Sequence, residues 1–193
     1  MTSPGGSPRR VEWRLRDGGV LPRGERTLLM GIVNVTSDSF SDGGLLTDTR
    51  AALAHAERLA ADGADVLDLG AESTRPGAVT RTAATQLERL LPLTAALRER
   101  LPHVPLSVDT RSAEVAQRCL DAGASIVNDV SGLAHDPAMR RVVATSGAPA
   151  VVMHLRGTPA DMSTRTDYAD VVADVVRELG DLLDAARAAG AAR

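Results

Sequence analysis

Two rhythms of apolar residues alternate along this chain. Short, nearly continuous apolar runs such as Leu28-Leu29-Met30-Gly31-Ile32-Val33 and Leu67-Asp68-Leu69 are separated by longer stretches in which Leu, Val and Ala return at helical spacing. The short runs predict strands at about 28–34, 65–70, 105–109, 125–129 and 149–153. The longer stretches predict helices. Leu53, Ala56, Leu59 and Ala60 share one face of the first, and Leu87, Leu90, Leu91, Leu97 and Leu101 one face of the second, where Pro92 should kink the helix or remove a hydrogen bond. Val115, Cys119 and Leu120 mark a third helix over about 112–122, and Asp136-Pro137 reads as an N-cap followed by proline at the first helical position of a fourth. A fifth, about 167–189, should turn Val171, Val172, Val175, Val176, Leu179, Leu182 and Leu183 inward. Gly63-Ala64, Gly123-Ala124 and Gly147-Ala148 each precede a strand, as left-handed helix caps that turn the chain back. Before all this, Val11, Trp13 and Leu15 alternate with charged residues up to Asp17-Gly18-Gly19, which reads as an N-terminal β-hairpin over 11–27.

Buried-type strands alternating with helices predict an α/β fold with a parallel sheet, either a (β/α) barrel or a doubly wound sheet. No Gly-x-Gly-x-x-Gly follows the first strand, which weakens a dinucleotide-binding reading. The strands share a further property. Each runs into polar residues where it ends: Asn34, then Glu72 to Gly77, Asp109-Thr110-Arg111, Asn128-Asp129 and Met153-His154. In a parallel sheet those ends lie together, and ligands bind there.

Composition narrows the class. The 193 residues fit one domain, and 44% apolar with 24% charged residues is ordinary for a globular protein. A net charge of −3 gives no reason to expect nucleic acid or a membrane surface as partner. All 22 basic residues are arginine, and aromatics are only 2%, so aliphatic side chains must fill the core. Cys119 is the one cysteine and sits on an apolar helix face, so it is expected in the core of a protein from a reducing, cytoplasmic compartment. Residues 1–10, rich in Gly, Ser and Pro, are expected to be a flexible tail. Gly190-Ala191 repeats the signal that precedes the earlier strands, so a sixth strand is expected to follow.

Met30 to Thr36, Asp38 to Gly44, Glu72 to Gly77, Val108 to Arg111, Asn128-Asp129, and Met153-His154 with Gly157-Thr158-Pro159 together resemble the dihydropteroate synthase family of pterin-binding (β/α)8 TIM barrels. The resemblance implies that 28–193 is a partial pterin-binding TIM-barrel domain of about five βα units. It implies condensation of (7,8-dihydropterin-6-yl)methyl diphosphate with 4-aminobenzoate, giving 7,8-dihydropteroate and pyrophosphate in folate biosynthesis, with Mg2+ as cofactor. Asn34 matches the family's metal-contacting asparagine, whose neutral amide oxygen suits a Mg2+ held mainly by diphosphate oxygens; otherwise it closes a turn. Asp109 is the candidate catalytic and pterin-binding carboxylate, able to accept from amino and ring N–H groups and to favour a cationic methylene, against the alternative of a helix cap. Asn128 offers a donor and an acceptor to the remaining pterin edge. By resemblance, Thr74 contacts substrate from a closing loop, and Arg75 could fork onto pyrophosphate or the benzoate carboxylate. Phe40, the one phenylalanine, could pack on the aminobenzoate ring, and Met153 on the flat pterin, with loop anchoring and core packing as their alternatives. His154 stands open between a base and a structural residue.

The family's aspartate-proline-glycine strand end, its serine-arginine-lysine segment, its late arginine and histidine and its dimer-forming helices have no counterpart here. A fragmentary or non-catalytic pterin-binding relative, and a methyltetrahydrofolate-dependent methyltransferase on a related barrel, are the competing readings. The methyltransferase would not need the loops after Asn34 and from Glu72 to Gly77.

Overall fold

The computed structural model describes residues 13–21, 26–35, 44–73 and 80–191, with the side chains of the first helix from 49 onward. The tail over 1–10 and the candidates Phe40, Thr74 and Arg75 lie outside the described residues.

A two-stranded antiparallel hairpin, β1 (Trp13–Arg14) and β2 (Val20–Leu21), turns through Gly18 at φ +85°, a conformation glycine adopts without strain. Strands and helices then alternate: β3 (Met30–Asn34), α1 (Gly44–Ala61), β4 (Val66–Gly70), α2 (Ala83–Arg100), β5 (Leu106–Asp109), α3 (Ala113–Asp121), β6 (Ile126–Asp129), α4 (Met139–Ser146), β7 (Ala150–Val152) and α5 (Val171–Ala188). The five long-range strands pair in parallel in the order β3-β4-β5-β6-β7. Each strand lies beside its predecessor and the order never reverses. That is barrel winding, and it removes the doubly wound alternative.

Side-chain alternation gives the sheet two faces. Val33, Leu67, Leu69, Leu106, Val108 and Val127 turn to the helices and pack with Ala56, Leu90, Leu93, Leu97, Val115, Cys119 and Leu120, all at 1% exposure or less. Gly31 lets α1 come close: a Cβ there would sit 3.1 Å from Leu59 Cδ1. Pro92 leaves α2 one continuous helix, with Leu90 and Leu93 buried on either side of it. The hairpin closes the other boundary of the sheet. Trp13, Leu15 and Leu21 pack on Val66 and Ile126, the first residues of β4 and β6, and Ser125 Oγ donates to Asp17 Oδ2 at 3.1 Å. An apolar plug at the start of the strands leaves their C-terminal ends for chemistry.

Two helix expectations fail. The fourth helix starts at Met139 rather than at Pro137, although Asp136 still receives the first free amide of that turn and serves a second segment besides. Its Oδ1 accepts from Ala138 N at 2.9 Å, and its Oδ2 accepts from Ala113 N at 2.8 Å, meeting a free amide at the start of α3. The fifth helix does not bury its stripe. Val172 is 70% exposed, Val176 67%, Val171 56% and Leu183 40%; Val175, Leu179 and Leu182 are half-buried, and Ala186 is the buried residue. Leu182 reaches Gly132, but no described element lies over the valines.

Candidate active site

The parallel register places the polar strand ends in one row. Asn34 pairs with Gly70, Gly70 with Asp109, Asp109 with Asn128, and Asn128 with Val151. One pleat nearer the hairpin, Ile32, Asp68, Ser107 and Ile126 form the next row. Both rows lie on the face turned away from the helices.

Gly70 creates the space in the upper row. A Cβ there would lie 2.9 Å from Asn34 Oδ1 and 3.5 Å from Asp109 Oδ2, so the missing side chain lets an amide oxygen and a carboxylate flank one gap. Asn34 is exposed, its side chain makes no hydrogen bond among the described residues, and it is still in strand pairing rather than closing a turn. Asp109 does not cap α3; Ser112 does, accepting from Val115 N. Burial pushes the Asp109 carboxyl up to about 7, aided by the neighbouring carboxylates of Asp68, Asp129 and Glu72 and opposed by Arg111. A raised carboxyl at the end of a parallel strand makes Asp109 a candidate binding or catalytic group.

Beneath the row, Asn128 Nδ2 donates to Asp68 Oδ2 at 2.9 Å. Above it, Glu72 and Arg111 form an ion pair at 2.8 Å with both side chains 5% exposed. Glu72 Oε1 also accepts from Arg81 N at 3.2 Å. The pair therefore ties the end of β4, the far side of the loop that follows it, and the end of β5. Thr110 Oγ1 donates to Gln86 at 2.9 Å, fixing the same corner to α2.

Met153 follows β7 at 42% exposure and is not a core methionine. His154 Nε2 meets Glu178 Oε2 at 2.8 Å, and Glu178 also receives the Arg156 guanidinium, which stacks over Tyr168 at 3.8 Å. That network docks the segment after β7 onto α5 and gives His154 a structural task. Cys119 is fully buried, and burial pushes its thiol up to about 12. A cavity of about 640 Å³ lies between the hairpin and the end of α2, at the opposite end of the strands from this row. Among the described residues the row runs along one face of the sheet.

The sequence analysis did not single out Asp68, nor the pairing of Glu72 with Arg111, although Glu72 and Arg111 both lie in the polar strand ends it named. A carboxylate inside the apolar run Val66-Leu67-Asp68-Leu69 was the available signal for the first. For the pair there was none, since 39 positions separate its members.

Residues 30–193 match the family described as pterin binding enzyme. Dihydropteroate synthase of Synechocystis sp. is 43% identical over 164 residues, which cover 85% of this chain and 56% of that protein. The Bacillus subtilis dihydropteroate synthase is 42% identical, over 86% of this chain and 55% of the relative. The chain thus spans about half the length of these relatives. Among solved structures, Xanthomonas albilineans dihydropteroate synthase with 4-aminobenzoic acid superposes at a TM-score of 0.84 and 44% identity, covering 94% of this chain and 64% of that one. Burkholderia cenocepacia dihydropteroate synthase complexed with 7,8-dihydropteroate superposes at 0.79 and 37% identity, covering 95% of this chain and 60% of that one.

Proposed function

Because the chain belongs to the pterin-binding enzyme family, we propose that it supplies the pterin-reading wall of a dihydropteroate synthase. The observation that carries this reading is the register row that puts Asn34, Asp109 and Asn128 side by side with the Gly70 gap between the first two. Solved relatives hold 4-aminobenzoic acid and 7,8-dihydropteroate, the ligands this chemistry requires.

In the proposed reaction the amine nitrogen of 4-aminobenzoate forms a bond to the pterin methylene carbon. The bond from that carbon to the diphosphate oxygen breaks, its electrons leave with pyrophosphate, and the amine loses a proton. Asp109, once ionised, accepts from the pterin N–H groups and offsets positive charge that develops on the pterin and its methylene as the diphosphate departs. Asn128 orients the ring from the next strand. No group of three acidic, histidine or cysteine side chains stands ready for a metal among the described residues. A single neutral amide oxygen at Asn34 fits a Mg2+ that keeps most of its ligands on diphosphate. Such an ion would neutralise the leaving group. A cytoplasmic setting belongs to the same reading, supported by one buried, unpaired thiol.

Pyrophosphate release from both substrates in the presence of Mg2+ tests the reading. We expect Asp109→Ala to lose about 10- to 150-fold in pterin affinity, the equivalent of roughly 1.5–3 kcal/mol for a hydrogen bond to a charged group. Unchanged turnover in that variant would remove Asp109 from its role. Gly70→Ala isolates Asn34: the added methyl must displace its amide oxygen, so the Mg2+ concentration needed for half-maximal rate should rise.

A further inference from the structure

Asp68 has no part in the reaction as described, yet its placement needs a reason. It is a carboxylate at 6% exposure within an apolar strand, one row below Asp109 and Asn128 and on the same face. One of its oxygens takes the Asn128 amide nitrogen at 2.9 Å. The other is buried with no hydrogen-bond partner among the described residues. A buried carboxylate left half satisfied is costly unless something else gains from it.

The gain lies in the direction of the Asn128 amide. A carboxamide carries a donor on one side and an acceptor on the other, and a free one can flip. A carboxylate only accepts, so Asp68 holds the Nδ2 end and turns Oδ1 the other way. We propose that Asp68 sets the ligand specificity of this wall by locking Asn128 with its acceptor presented, so that Asn128 and Asp109, side by side in the row, form a pair of acceptors that fits only a ligand edge made of donors. A 2-amino-4-oxopteridine has such an edge in its amino group and adjacent ring N–H. A 2,4-dioxopteridine places a carbonyl oxygen where the amino group stands, and that oxygen would face an acceptor. Asp68 is thus a positioning residue acting through Asn128. The inference deepens the proposed pterin function and rests on it.

Calorimetric titration of the protein with 6-hydroxymethylpterin and with 6-hydroxymethyllumazine, its 2-oxo counterpart, tests this. Wild type should prefer the pterin by at least about tenfold, one hydrogen bond's difference. Asp68→Asn keeps the shape but can hold either end of Asn128, so the preference should collapse toward parity while lumazine binding improves or stays level. In an Asn128→Ala background the same change should no longer move the ratio. If the asparagine variant does not fold, Asp68→Ser carries the same comparison. A fall in both affinities with the ratio unchanged would make Asp68 merely structural and overturn the inference while leaving the pterin function standing. An effect on the ratio that persists without Asn128 would overturn it too. If wild type binds neither compound, the proposed function falls and this inference with it.

Discussion

The two faces of the five-stranded sheet differ in how much of their environment this chain provides. The face toward α1–α4 is finished: Leu67, Leu69, Leu90, Leu93, Leu97 and Val33 are all at zero exposure in one continuous core. The opposite face is not. Ile32 is 61% exposed and Met30 39%, beside the polar row of Asn34, Asp109 and Asn128. In a (β/α)8 barrel that inner face is packed by residues from all the strands, and five units supply one part of its circumference. Stability and chemistry are therefore separable here: the helical face holds the strands in register, and the inner face displays what the register aligns.

Breaking the buried ion pair at the rim should have the largest effect. Glu72→Ala leaves the Arg111 guanidinium at 5% exposure without its carboxylate. We expect a loss of about 3–5 kcal/mol, seen as a lower urea midpoint. Replacing both partners with apolar residues should cost much less, because no charge is then stranded. Leu97→Ala on the finished face should cost roughly 2–5 kcal/mol through lost burial and the cavity it leaves. Ile32→Ala on the open face removes a side chain already largely in water and should stay below about 1 kcal/mol. Equal losses at Leu97 and Ile32 would erase the distinction between the faces.

Acidity sharpens it further. The Asp109 carboxyl is raised to about 7 by burial and by Asp68, Asp129 and Glu72. Between the usual carboxylate range near 4 and that value, the folded protein holds a proton that the unfolded chain has released. Stability from this group is thus present at low pH and is lost as pH rises through about 7. We expect thermal unfolding to show this slope, on the order of 1–3 kcal/mol, and Asp109→Asn to flatten it. Ligand donors reward the ionised form, so pterin affinity should move the other way and tighten from pH 6 to pH 8. A pH-independent affinity would mean that Asp109 does not meet the ligand as a carboxylate.

The same division governs what the sequence could tell. Strand positions were legible to within a residue or two because fully buried strands are continuous apolar runs, and Asn34, Asp109 and Asn128 stood out because each ends such a run. That they share one end of the sheet was legible too, but their register was not, since register is set by pairing between segments. Nor was the use of Asp136 by α3, 23 residues away. Asp68 was visible as an anomaly but had no meaning until Asn128 was placed against it. Periodicity correctly gave α5 an apolar stripe, yet no sequence pattern says whether a neighbour covers it.

That stripe supplies the smallest effect. Val172 and Val176 are 70% and 67% exposed one helical turn apart, so their side chains contribute little to the folded state of this chain. Val172→Ser and Val176→Ser should each change the unfolding free energy by no more than about 0.5 kcal/mol, as for other exposed positions. The surface should change more than the stability. An exposed apolar patch recruits hydrophobic dyes and other chains, so the double variant should bind less anilinonaphthalene sulfonate and remain monodisperse at higher concentration. Loss of several kcal/mol instead would show that the valines are packed in solution against something other than water, and the contrast between a covered and an uncovered region would then have to be drawn elsewhere than at α5.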